Sequence, residues 1–119
     1  MNILQKTIGD VTVLSVMGDI TITGTGTTPL ADVVRQVLDK GHVHLILDLA
    51  HVKYMDSAGL GELVQALTAA RNRGGTMRLL NVTRRLNDLL VMTKLLTVFD
   101  CFDEEAAALA SFNAPAVPV

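Results

Sequence analysis

The stretch Leu45–Gly61, together with the periodic segment that follows it, constrains the fold more than any other part of the chain. Its first five residues, Leu45–Leu49, form a nearly continuous apolar run, which is typical of a β-strand buried on both faces. From Leu60 onward the apolar residues recur at helical spacing and form a single stripe. Because a buried strand followed by a short turn and an amphipathic helix is a building unit of parallel sheets, the stretch predicts an α/β fold.

Two residues with good capping side chains, Asp56 and Ser57, stand between this strand and this helix. If Asp56 is the N-cap, Ser57 takes the first helical position and its hydroxyl faces solvent. Gly59 and Gly61 lie in the first turn, where each glycine costs about 1 kcal/mol relative to alanine. This cost indicates a local reason for glycine, and the simplest reason is the close approach of another backbone or of a partner protein.

Further strands and helices are predicted on both sides of this unit. Before the unit, we predict a β-hairpin of Ile3–Thr7 and Val11–Met17 and a helix capped by Thr28 and opened by Pro29. After it, we predict a strand at Thr76–Val82 and a helix capped by Asn81 or Thr83 that reaches about Met92. A last short strand within Leu95–Phe99 and a final helix that starts at Asp103–Glu105 complete the chain. This order predicts a mixed β-sheet of four to five strands with helices packed mainly on one face, all within one domain.

Met55–Gly61, with the sequence MDSAGLG, resembles the signature of the STAS domain, the family of sulphate transporter and anti-sigma factor antagonist domains. The strand and turn before it, Leu45–Tyr54, are similar to the family's approach to the motif, and the order of the other elements is similar too. The resemblance implies a STAS-like α/β fold for residues 1–112. Residues 113–119 contain two prolines and no periodicity, and they are expected to form a flexible C-terminal tail.

The resemblance also implies a function, that of an anti-sigma factor antagonist with a phosphorylation switch. Ser57 matches the serine that many such antagonists present to a kinase, and Asp56, Ala58 and Gly59 flank it. In the implied cycle, the unphosphorylated chain binds an anti-sigma factor that is also a serine kinase, and this binding frees the sigma factor for transcription. Phosphorylation of Ser57 blocks the complex, and a separate phosphatase resets the switch.

The segment Gly18–Thr28 departs from the pattern of the phosphorylated antagonists. Where those commonly read G-E-L-D, this chain has Gly18-Asp19-Ile20-Thr21, so that Thr21 replaces an acidic residue expected near the serine. The Gly/Thr loop that follows, Ile22–Thr28, is longer than usual. Asp19 and Thr21 are therefore predicted to flank the phosphorylation site and to influence its recognition by a kinase.

The helix that begins near Ser57 is predicted to present a partner-binding face. The residues that project away from its apolar stripe are Glu62, Gln65, Ala66, Ala69 and Arg73. The small side chains in the middle of this face allow another helix to approach closely. On the next helix along the chain, Met92 is a candidate for exposed apolar contact with the partner.

Composition excludes several classes of protein. Ten basic and twelve acidic residues give a net charge of −2, which leaves no basic excess to neutralise the phosphates of a nucleic acid. The N-terminus lacks the apolar stretch of a signal peptide, and no window of about 18 apolar residues could span a membrane. A single cysteine, Cys101, fits a reducing compartment and is expected to be buried. We therefore expect a cytoplasmic protein.

Several other functions remain open on the sequence alone. A STAS domain without a phosphoswitch would serve as a subunit of a membrane transporter or as a signalling scaffold, and Thr21 fits that interpretation. The Gly/Thr loop suggests a small-molecule site, although it lacks a P-loop lysine and G-x-G-x-x-G spacing. His42, His44 and His51 lack the neighbouring ligands of a zinc site. Because no set of nucleophile, base and orienting group can be assembled, we predict no enzyme activity, no cofactor and no metal.

Overall fold

The computed structural model describes residues 2–20 and 29–113. Its elements, in chain order, are β1 (Asn2–Ile8), β2 (Val11–Met17), α1 (Leu30–Asp39), β3 (His44–His51), α2 (Ser57–Asn72), β4 (Thr76–Leu80), α3 (Arg84–Met92), a short 3-10 helix (Leu96–Val98), β5 (Cys101–Phe102) and α4 (Glu105–Asn113). Thr21, the Gly/Thr loop with the predicted cap Thr28, and residues 114–119 of the predicted tail lie outside the described residues.

The five strands form one mixed sheet in the order β1-β2-β3-β4-β5. β1 pairs antiparallel with β2 as a hairpin. The other three pairs, β2 with β3, β3 with β4 and β4 with β5, are parallel. The central strand β3 has a strand neighbour on each side. The predicted α/β class and mixed sheet are confirmed.

Alternate residues of β3 point into two separate cores. Leu45, Leu47 and Leu49 belong to the larger core, which they share with the buried apolar residues of α1, α2 and α3. Ile46 points to the opposite face, where it packs in a smaller core with Ala108 of α4. Among the described elements, three helices therefore cover one face of the sheet and α4 alone covers the other, in agreement with the prediction of helices mainly on one face.

The last strand is not where the sequence predicts it. Within Leu95–Phe99 the chain forms the 3-10 helix, and strand pairing begins only afterwards, when Leu79 N–H donates to Asp100 O at 2.9 Å and Asn81 N–H donates to Phe102 O at 2.9 Å. The apolar residues of Leu95–Phe99 pack against the larger core without strand pairing, and Phe99 is buried in that core. A buried apolar run alone does not distinguish these two arrangements.

In two further places, at the start of α1 and at β5, the structure differs from the sequence-based expectation. Pro29 occupies the N-cap position of α1, so the helix begins one residue later than predicted, at Leu30.

Cys101 is exposed rather than buried, because β5 is a two-residue edge strand with a neighbour on one side only. Partial desolvation, together with the carboxylates of Asp100 and Asp103, raises the pKa of the Cys101 thiol. The thiol therefore stays protonated at neutral pH and is a poor nucleophile.

Candidate functional site

The turn between β3 and α2 holds Ser57 at the start of a helix. Asp56 is the N-cap of α2: its backbone is extended, and its Oδ1 accepts a hydrogen bond of 2.6 Å from Gly59 N–H. Because Asp56 makes the cap, Ser57 is the first residue of the helix, and its side chain is exposed. Ala58, the next residue, is half-buried. The Ser57 hydroxyl is therefore accessible and lies at the positive end of the helix dipole.

The end of β2 and the residues after it lie against this turn. Gly18 N–H donates to His51 O at 3.3 Å, and Ile20 N–H donates to Tyr54 O at 3.0 Å. Ile20 is buried and forms an isolated parallel bridge with Met55. Asp19, which is exposed, lies in this segment between the two hydrogen-bonded residues. The segment thus runs alongside the turn that presents Ser57.

The same segment explains the glycine at position 59. A Cβ atom added to Gly59 would overlap the backbone carbonyl oxygen of Ile20, and neither backbone can move without breaking its hydrogen bonds. The close approach of another backbone, expected from the cost of glycine in a helix, is therefore present here. At Gly61 a Cβ would meet no atom within 4 Å among the described residues, so the fold itself gives no reason for that glycine.

A groove of about 440 Å³ opens beside Ser57, between the β3–α2 turn and α3. Its walls combine apolar and charged side chains: Tyr54, Met55, Asp56, Ser57, Arg85, Leu86, Asp88, Leu89 and Met92. Met92 is 80% exposed and Tyr54 is 47% exposed, although both are large side chains with apolar surface. Exposed apolar residues clustered around a groove are typical of a surface that binds another molecule. We call this surface the Ser57 groove.

The topology of the sheet brings the two sides of the Ser57 groove together. α2 follows β3 and α3 follows β4, and these strands are adjacent and parallel. Both helices therefore begin at the same edge of the sheet, where the carboxyl ends of its parallel strands meet. α3 starts at this edge because Thr83 caps it, with Thr83 Oγ1 accepting a hydrogen bond of 3.3 Å from Leu86 N–H.

The predicted partner-binding face of α2 is mostly occupied by the chain itself. Ala66 and Ala69 are buried, with 0% and 7% of their surface exposed, and they lie in the larger core with residues of α1. The prediction that these two residues project away from the core is wrong. The small side chains do permit close approach of a helix, as expected, but that helix is α1.

The three polar residues predicted on the same face also connect α2 with α1. The half-buried Glu62 accepts a hydrogen bond of 3.2 Å from Ala31 N–H, in the first turn of α1. Gln65 and Arg73 join their α1 partners through side chains only: Arg35 Nη2 donates to Gln65 Oε1 at 3.4 Å, and Arg73 Nη2 donates to Asp39 Oδ1 at 2.6 Å. These contacts give the predicted partner residues a role in holding two helices together.

The residues that form the far wall of the Ser57 groove were not predicted from the sequence. Arg85, Asp88 and Leu89 all belong to α3 and were not predicted to lie near Ser57. The signal was available in principle, because consecutive strand–helix units in a parallel sheet place the starts of their helices side by side. Of the predicted partner residues, the structure brings only Met92 to this groove.

The described residues provide little support for other chemistry. In the ranges 2–20 and 29–113, no three His, Cys, Asp or Glu side chains are grouped as a metal ion requires. Over the same ranges, no helix combines the length and the apolar character needed to cross a membrane. The predicted Gly/Thr-loop site cannot be located, since the loop lies outside the described residues.

Loss of the Asp56 cap should destabilise the protein measurably. Asp56→Ala removes the acceptor for Gly59 N–H, and we expect the free energy of unfolding to fall by about 1 kcal/mol. Asp56→Asn keeps an acceptor oxygen and should remain close to the unchanged protein. Urea denaturation followed by circular dichroism measures both. Equal losses in the two variants would contradict a capping role and would indicate that the carboxylate charge is what matters.

The comparisons with known proteins agree with this architecture. A model of the STAS domain family matches residues 2–108. The anti-sigma F factor antagonist of Paenibacillus polymyxa is 30% identical over 88 residues, which cover 70% of this chain and 75% of that protein.

Two solved structures show that the fold is shared more widely. The phosphorylated form of the Bacillus cell fate determinant SpoIIAA superposes with a TM-score of 0.70 at 14% identity, over 93% of this chain and 99% of that one. The murine anion transporter Slc26a9 superposes with a TM-score of 0.73 at 16% identity, over 92% of this chain but 19% of the transporter. The family match spans nearly all of the described residues, and the resemblance carried by Met55–Gly61 is confirmed: this chain belongs to the STAS domain family.

Proposed function

We propose that this chain is an anti-sigma factor antagonist whose binding to an anti-sigma factor is controlled by phosphorylation of Ser57. The observation that carries the proposal is the exposed Ser57 at the first position of α2, with the capping role taken by Asp56. The hydroxyl is therefore not needed for the fold. The 30% identity with an anti-sigma F factor antagonist supports the same assignment.

The kinase in this proposal is the anti-sigma factor itself, and the nucleotide belongs to that partner. Transfer of the γ-phosphoryl group of ATP to the Ser57 oxygen forms the phosphate ester and releases ADP and the hydroxyl proton. The modification adds about −1.5 to −2 charges at neutral pH. A helix N-terminus tolerates negative charge well, so the fold is preserved while the surface changes. A phosphatase that hydrolyses the ester restores the binding form.

The Ser57 groove is the surface on which we place the anti-sigma factor. The groove offers exposed apolar contacts from Tyr54, on the same wall as Ser57, and from Met92, on the opposite wall. An interface of ordinary size buries about 1,600 Å² in total, so it would extend from the groove over the exposed start of α2. A phosphate on Ser57 would then lie within the interface, where an unpaired double charge opposes docking. Because the sigma factor released in this cycle acts with RNA polymerase in the cytoplasm, we place the protein there as well.

The test is phosphorylation by the anti-sigma kinases of the host. The purified protein is incubated with each candidate kinase and ATP, and intact-mass analysis followed by peptide mapping locates any added phosphoryl group. We expect a gain of about 80 Da, the mass of one phosphoryl group, confined to Ser57 and absent from Ser57→Ala. Ser15, which is half-buried in β2, provides an internal control site on the same molecule. A phosphoryl group that persists in Ser57→Ala would contradict the assignment.

A second candidate role is a STAS subunit of a membrane transporter or a signalling scaffold without a phosphoswitch. The similarity in fold to a domain that makes up 19% of an anion transporter favours it. Affinity purification from host membranes distinguishes the two. Recovery of a transporter or its ATPase, together with failure of every candidate kinase to modify Ser57, would move the assignment to this second role.

A further inference from the structure

The geometry points to Arg85 as the internal counter-ion of Ser57 once that serine is phosphorylated, so that the modified groove is bridged from α2 to α3. This inference rests on the proposed function, in which Ser57 carries a phosphate. The inference adds Arg85 and a physical mechanism to that function. The phosphate repels the partner, and it also draws a side chain of the chain's own α3 across the docking surface.

Arg85 is the only cationic side chain among the described residues that line the Ser57 groove. It lies in the first turn of α3, on the wall opposite Ser57, and its side chain is exposed. Because both residues line one groove of modest volume, a phosphate ester that extends from Ser57 enters the space that Arg85 already faces. Guanidinium groups bind phosphate oxygens with paired, parallel hydrogen bonds, which favours this contact over a single point charge.

The guanidinium group of Arg85 is also available for a new partner. Several other cations in the described ranges are held by acceptors: Lys6 pairs with Glu105, Arg35 with Asp32, and Arg73 with Asp39. Over those same ranges Arg85 makes no ion pair and no side-chain hydrogen bond within the distance limits that define these pairs. Among the described residues, Asp88, its neighbour one turn later, likewise has no such pair. Formation of a phosphate contact by Arg85 therefore breaks no interaction with the part of the chain that the structure describes.

The contact has a consequence for docking. The apolar floor of the Ser57 groove is formed by Leu86 and Leu89, which lie on α3 next to Arg85. A bridge from the Ser57 phosphate to Arg85 spans the groove above this floor and removes it from the surface that a partner can reach. The phosphorylated state would then be closed to the partner by its own side chain as well as by charge.

The test uses protein in which phosphoserine is incorporated at position 57 during translation, so that no kinase is required. Phosphorus NMR follows the second ionisation of the phosphate with pH, in the unchanged background and in Arg85→Gln, Arg85→Lys and Arg84→Gln. Arg84 is the matched control, because it is exposed on the same turn of α3 but does not line the groove. The charged groups that line the groove, Asp56, Asp88 and Arg85, are otherwise the same in the control.

We expect the phosphate of Arg85→Gln to bind its proton about threefold more tightly than in the unchanged background, as loss of an exposed ion pair implies. Arg85→Lys should give an intermediate value, and Arg84→Gln should match the unchanged background. Raising the salt concentration to about 1 M should shrink the difference, because exposed charges are screened. Identical titrations in Arg85→Gln and the unchanged background, or equal changes in Arg84→Gln and Arg85→Gln, would overturn the inference. Neither result would affect the kinase assay, which tests the proposed function separately.

Discussion

Replacement of Gly59 by alanine is expected to lower the free energy of unfolding by about 3 kcal/mol, at the upper end of the usual cost of overpacking. The added methyl group would overlap the carbonyl oxygen of Ile20, and that residue is tied to the β3–α2 turn by its hydrogen bond to Tyr54. The strain cannot be relieved by rotation of a side chain, because the obstructing atom belongs to the backbone. Thermal unfolding should show a melting temperature about 10 °C lower.

Gly61→Ala is the matched control for this change. The two glycines lie in the same turn of α2, yet a Cβ at position 61 meets no described atom within 4 Å. Alanine is the better helix former, so this variant should be more stable than the unchanged protein by about 1 kcal/mol. If both substitutions destabilise the protein equally, the cause is not the contact with Ile20, and the packing described for this turn is contradicted.

Ser57→Asp is expected to weaken binding of the anti-sigma factor at least tenfold while the melting temperature stays nearly unchanged. A carboxylate at the first position of α2 is favoured by the helix dipole, so the fold should not suffer. The same charge placed in a docking surface must be desolvated when the partner binds, and a tenfold loss of affinity corresponds to about 1.4 kcal/mol. Calorimetric titration with the purified anti-sigma factor measures the effect.

Ser57→Ala shows whether an effect of Ser57→Asp comes from the added charge or from loss of the hydroxyl group. This variant should bind the anti-sigma factor as tightly as the unmodified chain and should accept no phosphate, because Asp56 rather than Ser57 provides the cap. A large drop in stability in either variant would indicate that Ser57 has mainly a structural role. Unchanged affinity in Ser57→Asp would indicate that the interface lies elsewhere on the molecule.

The part of the fold that follows from local pattern was predictable. The apolar run of β3, the capping residues before α2 and the helical stripe from Leu60 each determine structure within a few residues, and together they place Ser57 at a helix start. The need for a glycine at position 59 could also be inferred from its energetic cost. What the sequence could not identify was the obstructing backbone of Ile20, which lies about forty positions earlier in the chain.

The errors about the candidate site have a common physical origin in contacts between distant elements. The face of α2 that contains Ala66 and Ala69 is composed of small and polar residues, a pattern that suits an exposed surface and a helix–helix contact equally. Only the position of α1 decides between them. Arg85 was overlooked for the same reason, since its proximity to Ser57 arises from the pairing of β3 with β4 and not from any feature of its own helix.

The most direct test of the account is the affinity of the anti-sigma factor for this chain with and without phosphate on Ser57. Both forms are titrated by calorimetry, with phosphoserine incorporated at position 57 in one and serine in the other. A complete switch, from 99% bound to 1% bound, requires the two forms to differ in affinity by about 10⁴-fold, or 5.5 kcal/mol. We expect phosphorylation to weaken binding by at least about 100-fold. Equal affinities for the two forms would contradict the proposed switch, whatever the kinase assay shows.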